Sequence, residues 1–262
     1  MAGSLQNKVA VVTGGGRGIG RAIAYRLASE GADCMLVART TSQLQDAAKE
    51  ISTLTGRRVE ICSSDLRTSG SSCAVLEAVE TTFHKVDILV NSAGATQIGN
   101  FLELSDDVWQ DGFALKFFGA VRVTRLLWPM LKDSHGVVIN IIGGYARTPT
   151  SQAMIPGSVN AALTNFSKAL AGLGLEDNVN VNAVHPGLTV TERLTTLIDS
   201  QARLNGTTAA EEMQAATDRA GIRRLGTTED VANLVAFLCS SEARHVHGAA
   251  IAVDGGATKG MH

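Results

Sequence analysis

The chain is poor in proline, with 4 in 262 residues, and in aromatics, at 4%. So little proline excludes a stiff linker or a collagen-like repeat, and the 27 glycines then mark close backbone approaches. So few aromatics exclude a base-stacking surface. No basic block is present and the net charge is -2, so nucleic acid is not expected as a partner. Four cysteines, Cys34, Cys62, Cys73 and Cys239, show no CxxC spacing and read as buried thiols of a reducing cytoplasm. His245 and His247 form an HxH with no third ligand nearby, which reads as surface, and no metal site is expected. The longest uncharged stretch, Thr148 to Ser167, contains Pro149, Pro156 and many polar residues and is no membrane span. The opening residues, MAGSLQNK, carry no apolar signal segment, which fits a cytoplasmic protein.

What the chain does have is 45% hydrophobic residues, enough for a full core, in short β-rich runs that alternate with longer helical patterns. Seven runs read as strands: 9–14, 34–38, 59–62, 86–94, 136–142, 179–184 and 249–253. Their almost unbroken apolar character predicts a parallel sheet covered on both faces. The expected fold is α/β: a doubly wound, seven-stranded parallel sheet with helices on both faces, one domain over residues 1–262. One stretch, about 189–225, is richer in charge and breaks the alternation. It reads as a small helical lid, since ligands of such sheets sit beyond the strand C-termini; the alternative is a surface excursion without a role. Thr208-x-x-Glu211 and Thr227-x-x-Asp230 are capping-box spellings that start two helices.

TGGGRGIG (13–20) follows the first strand and opens the first helix. A tight turn there presents backbone N–H groups and a helix N-terminus to a diphosphate. Gly14 permits the turn, Gly18 the close approach, and Gly20 the packing of helix on strand. A site for NAD usually ends the second strand in Asp or Glu, which accepts from the ribose hydroxyls. Here that strand ends Val37-Ala38-Arg39, and Asp33 comes too early. Arg39 and Arg17 suit a 2′-phosphate, so NADP(H) is expected in preference to NAD(H). The alternative is Arg39 as a solvated surface charge.

With these residues in place the sequence resembles the short-chain dehydrogenase/reductase family over nearly its whole length. TGxxxGxG is Thr13, Gly14, Gly18 and Gly20; the acid after the third strand is Asp65. The family's NNAG motif stands as Asn91-Ser92-Ala93-Gly94, its PG as Pro186-Gly187, and its C-terminal VDGG as 253–256. The resemblance implies a cofactor site that also takes in Gly16, Ile19 and Leu66, a small-molecule substrate, and a homotetramer or homodimer.

The catalytic end departs from the pattern. The family's usual Asn falls on Lys116, its Ser on Gly143, its Tyr on Pro156 and its Lys on Asn160. Ala161-Ala162-Leu163 and Ser167-Lys168 fix that frame. Lys116 and Asn160 look like an exchange of the amine and the amide between facing positions. Some 2,4-dienoyl-CoA reductases of the family also lack this tyrosine and use one just after the fifth strand, a position that falls on Tyr145. The resemblance therefore implies Tyr145 as proton donor, with Lys116 and Asn160 as its catalytic neighbours. A phenol of ordinary pKa near 10 needs anion stabilisation to serve near pH 7, and a nearby ammonium supplies it. The alternative is equally concrete: Tyr145 merely lines the pocket, and Lys116 pairs with Asp111 or Asp107 on its own helix. Two functions follow. One is an NADP(H)-dependent oxidoreductase of non-standard active site, moving hydride to or from a carbonyl, alcohol or activated alkene. The other is a catalytically silent NADP(H)-binding sensor or partner protein.

Overall fold

A computed structural model describes residues 4–259. Its strands are β1 (Val9–Thr13), β2 (Asp33–Ala38), β3 (Val59–Ser63), β4 (Ile88–Asn91), β5 (Val137–Ile141), β6 (Asn180–Pro186) and β7 (Ala250–Val253). They form one sheet in the order β3-β2-β1-β4-β5-β6-β7, and every pairing is parallel. The seven runs expected from the sequence are these strands, with ends shifted by a few residues.

Side chains of a strand alternate between faces. In β1, Ala10 and Val12 join one core with Ile23, Leu27, Leu44, Ile51, Val231 and Val235. Those partners lie on α1 (Gly18–Ser29), α2 (Thr41–Thr55) and α9 (Thr228–Cys239). Val11 points the other way, into a second core with Val75, Val79, Val123, Leu127 and Leu131. These belong to α3 (Ser71–Thr82) and α5 (Gly119–Asp133), and α6 (Met154–Asp177) packs beside them. Both faces being covered is why β1, β2 and β5 are almost unbroken apolar runs.

The chain winds outward from β1 to β3, then restarts on the other side of β1 with β4. The crevice above the C-terminal ends of β1 and β4 is thus the switch point at which such sheets bind ligands. Thr13, the last residue of β1, secures it. Its buried hydroxyl oxygen accepts from the Ser92 and Ala93 N–H groups, each at 3.0 Å.

The segment beyond β6 folds as α7 (Glu192–Asn205) and α8 (Ala209–Ala220). Its two ends meet in an isolated bridge between Thr189 and Gly226. Thr208 with Glu211, and Thr227 with Asp230, form the two expected capping boxes. Glu212 accepts from Asn205 Nδ2 at 2.8 Å and from Thr207 Oγ1 at 2.7 Å, which ties α7 to α8.

Two expectations need correction. Cys73 is exposed, while Cys34, Cys62 and Cys239 are buried. His247 is no loose surface residue: one ring nitrogen accepts from the Val181 N–H and the other lies 2.7 Å from the Ala171 carbonyl. Among the described residues no helix is long and apolar enough to cross a membrane.

Candidate active site

A cavity of about 640 Å³ opens at the switch point, within the range of small-molecule sites. Its floor is the glycine turn. Gly14 has φ +70 and its N–H donates to the Val37 carbonyl at 2.7 Å. A methyl group at Gly20 would stand 2.2 Å from the Gly14 oxygen, so only glycine lets α1 start this close to the strand. Gly18, Ile19 and Gly20 line the cavity, and no side chain caps α1. The N–H groups of its first turn therefore remain available to an anion.

At one end the wall is Ala38, Arg39 and Thr40. No carboxylate stands at the end of β2. Asp33, at its start, is bound to Arg57 at 2.7 Å. Arg39 faces Asp65 at 3.7 Å with more than half of its side chain exposed, and it is free to re-pair with an incoming anion. Arg17 sits across the turn, 4.0 Å from Glu192 of α7.

Lys116 stands at the opposite end. It lies on a π-helical stretch, Phe113–Phe118, between α4 (Asp106–Gly112) and α5; such π turns recur at functional sites. Its stem crosses Gly94, where a methyl group would come within 3.0 Å of Lys116 Cδ. The ammonium donates to the Ile142 carbonyl. Loss of solvent, and next the charge of Arg193, push its pKa down to about 8. It makes no pair with Asp111, which is bound to Arg67, so that alternative is set aside. Arg193 itself donates to the Thr96 carbonyl at 2.7 Å and forms part of the roof with Thr191 and Glu192.

Of the residues singled out in the sequence, Gly14, Gly16, Arg17, Gly18, Ile19, Gly20 and Arg39 line the cavity. So do Leu66, Ala93, Gly94, Lys116, Pro186 and Gly187. Four do not. Asp65 stands beside the wall, holding Arg67 and Arg39. Asn91 is buried, and its amide donates to Asn140 and Thr124, each at 2.9 Å. Asn160 is buried behind Gly143, with its Oδ1 lacking a hydrogen-bond partner among the described residues. Tyr145 sits in a short 3-10 turn, Gly144–Ala146, and is 39% exposed.

Gly143 between them has φ +134, and a methyl group there would stand 3.1 Å from Asn160 Nδ2. Side chains rarely adopt that conformation, so the backbone as well as the sequence departs from a serine at this position. His185 lies beneath, its Nδ1 3.2 Å from the Gly143 carbonyl oxygen. Sequence reasoning missed Thr40, Gln43, Ser64, Ser92 and Arg193, all on the cavity wall. Thr40, Ser64 and Ser92 follow the C-terminal ends of β2, β3 and β4, the signal that could have found them, whereas Gln43 lies in the first turn of α2.

The parallel sheet, its order and the glycine turn at its switch point define a Rossmann-type α/β protein. Residues 14–258 match the family described as Enoyl-(Acyl carrier protein) reductase. An uncharacterised oxidoreductase of Mycobacterium tuberculosis is 34% identical over 97% of this chain and 93% of its own length. The 3-oxoacyl-(acyl-carrier-protein) reductase of Aquifex aeolicus is 33% identical over 96% of this chain and 98% of its own. Among solved structures, L-sorbose reductase from Gluconobacter frateurii, complexed with NADPH and L-sorbose, superposes with a TM-score of 0.96. It is 36% identical, with both chains fully covered. The chain belongs to the short-chain dehydrogenase/reductase family.

Proposed function

We propose that this protein is an NADP(H)-dependent oxidoreductase with a non-standard active site, acting on a small-molecule substrate. The observation that carries the cofactor is the end of β2, where Ala38 and Arg39 stand in place of a carboxylate, with Arg17 across the glycine turn; the exposed Asp65 and Glu192 that face these arginines leave both able to re-pair with a phosphate. A diphosphate fits the uncapped N-terminus of α1, and a 2′-phosphate fits Arg39, whose guanidinium gives a forked pair of donors. The NADPH bound by the sorbose reductase of closely similar fold supports the same choice. When bound, the nicotinamide supplies or accepts hydride. This chain's residues would hold the dinucleotide along the cavity, keep Lys116 at its far end and exclude bulk water beneath the α7 roof. Lys116 also supports an enzyme over a silent binding protein, because it pairs a π turn beside the cavity with an amine whose pKa is pushed down to about 8 by loss of solvent, a combination that suits chemistry.

Fluorescence titration tests the cofactor. NADPH is expected to bind at least tenfold more tightly than NADH, about 1.4 kcal/mol. Arg39→Ala should remove that preference and leave NADH affinity nearly unchanged. Equal affinities in the unaltered chain would overturn the assignment.

A further inference from the structure

The cavity wall contains five ionisable side chains: Arg17, Arg39, Lys116, Glu192 and Arg193. The three guanidinium groups keep their protons throughout the working pH range. Glu192 stands at the outer rim, with 71% of its side chain exposed and Arg17 beside it. Among the described residues of the wall, that leaves Lys116 as the one group able to pass a proton at the inner end. The tyrosine expected from the sequence is not part of this wall. Pro156, in the first turn of α6, has no proton to give.

We infer that Lys116 is itself the proton donor of the reaction when a carbonyl is reduced, taking from the family's asparagine position the role the family gives to a tyrosine. The inference rests on the oxidoreductase reading above. Lys116 has the geometry for it. One of its three N–H bonds is fixed by the Ile142 carbonyl, so the nitrogen is held in place while two donors stay free. Gly94 leaves the room in which the stem lies, and the half-buried chain keeps access to the cavity. Its ammonium is a stronger acid than an ordinary lysine, titrating at about 8 rather than 10.5, which brings it near the working pH at which a general acid is most effective. Among the described residues, the titratable and charged groups near it are Arg193 from α7, which repels its proton, Asp111 on the preceding turn, which is engaged by Arg67, and His185 of β6, which lies under Gly143.

The step balances. The carbonyl carbon takes a hydride from the dihydronicotinamide, the C=O π pair moves to oxygen, and that oxygen takes a proton from Lys116. A C–H and an O–H bond form. The C=O π bond, the donor C–H bond and one N–H bond break. The substrate gains the two electrons the dinucleotide loses, and the neutral amine of Lys116 regains its proton from water. The reverse reaction uses the neutral amine as base.

The test has one arm that needs no turnover. NMR of isotopically labelled lysines in the full-length chain, assigned with Lys116→Met, should show Lys116 titrating near 8. Arg193→Met should raise that value, because it removes a neighbouring positive charge. Titration at 10.5 overturns the inference. In the second arm para-nitrobenzaldehyde is reduced with NADPH. Lys116→Met and Lys116→Arg should each lower kcat by about 10²- to 10⁴-fold, with NADPH affinity within twofold of the unaltered chain. The arginine variant retains charge but cannot release a proton, so its full activity would show that charge alone matters and would overturn the proposal. Loss of kcat in Tyr145→Phe with turnover intact in both Lys116 variants would return the proton to Tyr145. NADPH binding without any aldehyde reduction overturns the inference and leaves the silent reading standing. Failure of the unaltered chain to bind NADPH instead overturns the oxidoreductase reading itself. Circular dichroism on each variant separates a folding defect, and Lys116→Arg, nearly the same in volume, is the variant that decides if Lys116→Met does not fold.

Discussion

Two glycines in helices should respond in opposite ways to the same added methyl group. Alanine is favoured over glycine inside a helix by about 1 kcal/mol. Gly172, exposed in α6, has no heavy atom within 4 Å of where the methyl would go, so Gly172→Ala should stabilise the protein by about 1 kcal/mol. At Gly20 the same carbon would stand 2.2 Å from the Gly14 oxygen and 2.7 Å from its carbonyl carbon. That is more than an ångström short of ordinary contact. Both obstacles are backbone, so no rotamer change relieves them and α1 must lift from the turn. Overpacking of this kind costs about 1–3 kcal/mol, set against a smaller propensity gain so near the helix start. Gly20→Ala should therefore be destabilised by about 0.5–2.5 kcal/mol. Urea unfolding of both variants at equal m measures the difference. Because the lifted turn is the proposed diphosphate cradle, NADPH should also bind at least tenfold more weakly to Gly20→Ala, about 1.4 kcal/mol. If the two variants are equally stable and Gly20→Ala binds NADPH normally, the close approach drawn here is wrong.

Thr13→Val keeps the shape of the side chain but leaves the Ser92 and Ala93 N–H groups without their acceptor; a loss of about 1–3 kcal/mol is expected in the same unfolding assay. Asp87 is buried, which by itself raises its pKa, but bonds from Lys8, the Val9 N–H and Lys85 outweigh burial and hold it below the usual carboxylate range. A depressed carboxyl stabilises the fold above its unfolded pKa of about 4, and that contribution is lost as pH falls through the folded value. Asp87→Asn should cost about 1–3 kcal/mol at neutral pH and flatten the acid limb of a stability-against-pH curve, which thermal unfolding across pH would record.

The strands were legible because continuous apolar runs leave little choice of layer, and the helix starts of α8 and α9 because a capping box is a local device. The glycine turn was legible for the same reason: its spacing and its chemistry coincide. The motif that brings Asn91 to the cofactor site does not show that its side chain is held by Asn140, its direct neighbour across the β4–β5 ladder. That register is set by the whole sheet and is invisible in one motif. Counting along the chain brought Tyr145 to the right strand end but could not show that Gly143, at φ +134, leads into a 3-10 turn outside the cavity wall. Nor does any short pattern announce a π turn at Lys116 or the reach of Arg193 across to Thr96. These depend on packing between segments far apart in sequence.

The bridge between Thr189 and Gly226 makes the roof a cassette. Because its two ends are already joined, the intervening helices are attached to the sheet as a pendant loop, and the cost of closing such a loop grows only slowly with its length. Insertions, deletions or wholesale replacement between those two residues leave the strand register and the glycine turn unchanged. The sheet and the glycine turn thus do not depend on the span between positions 189 and 226, and a graft there that keeps Thr191, Glu192 and Arg193, which line the cavity, would alter the outer helices alone.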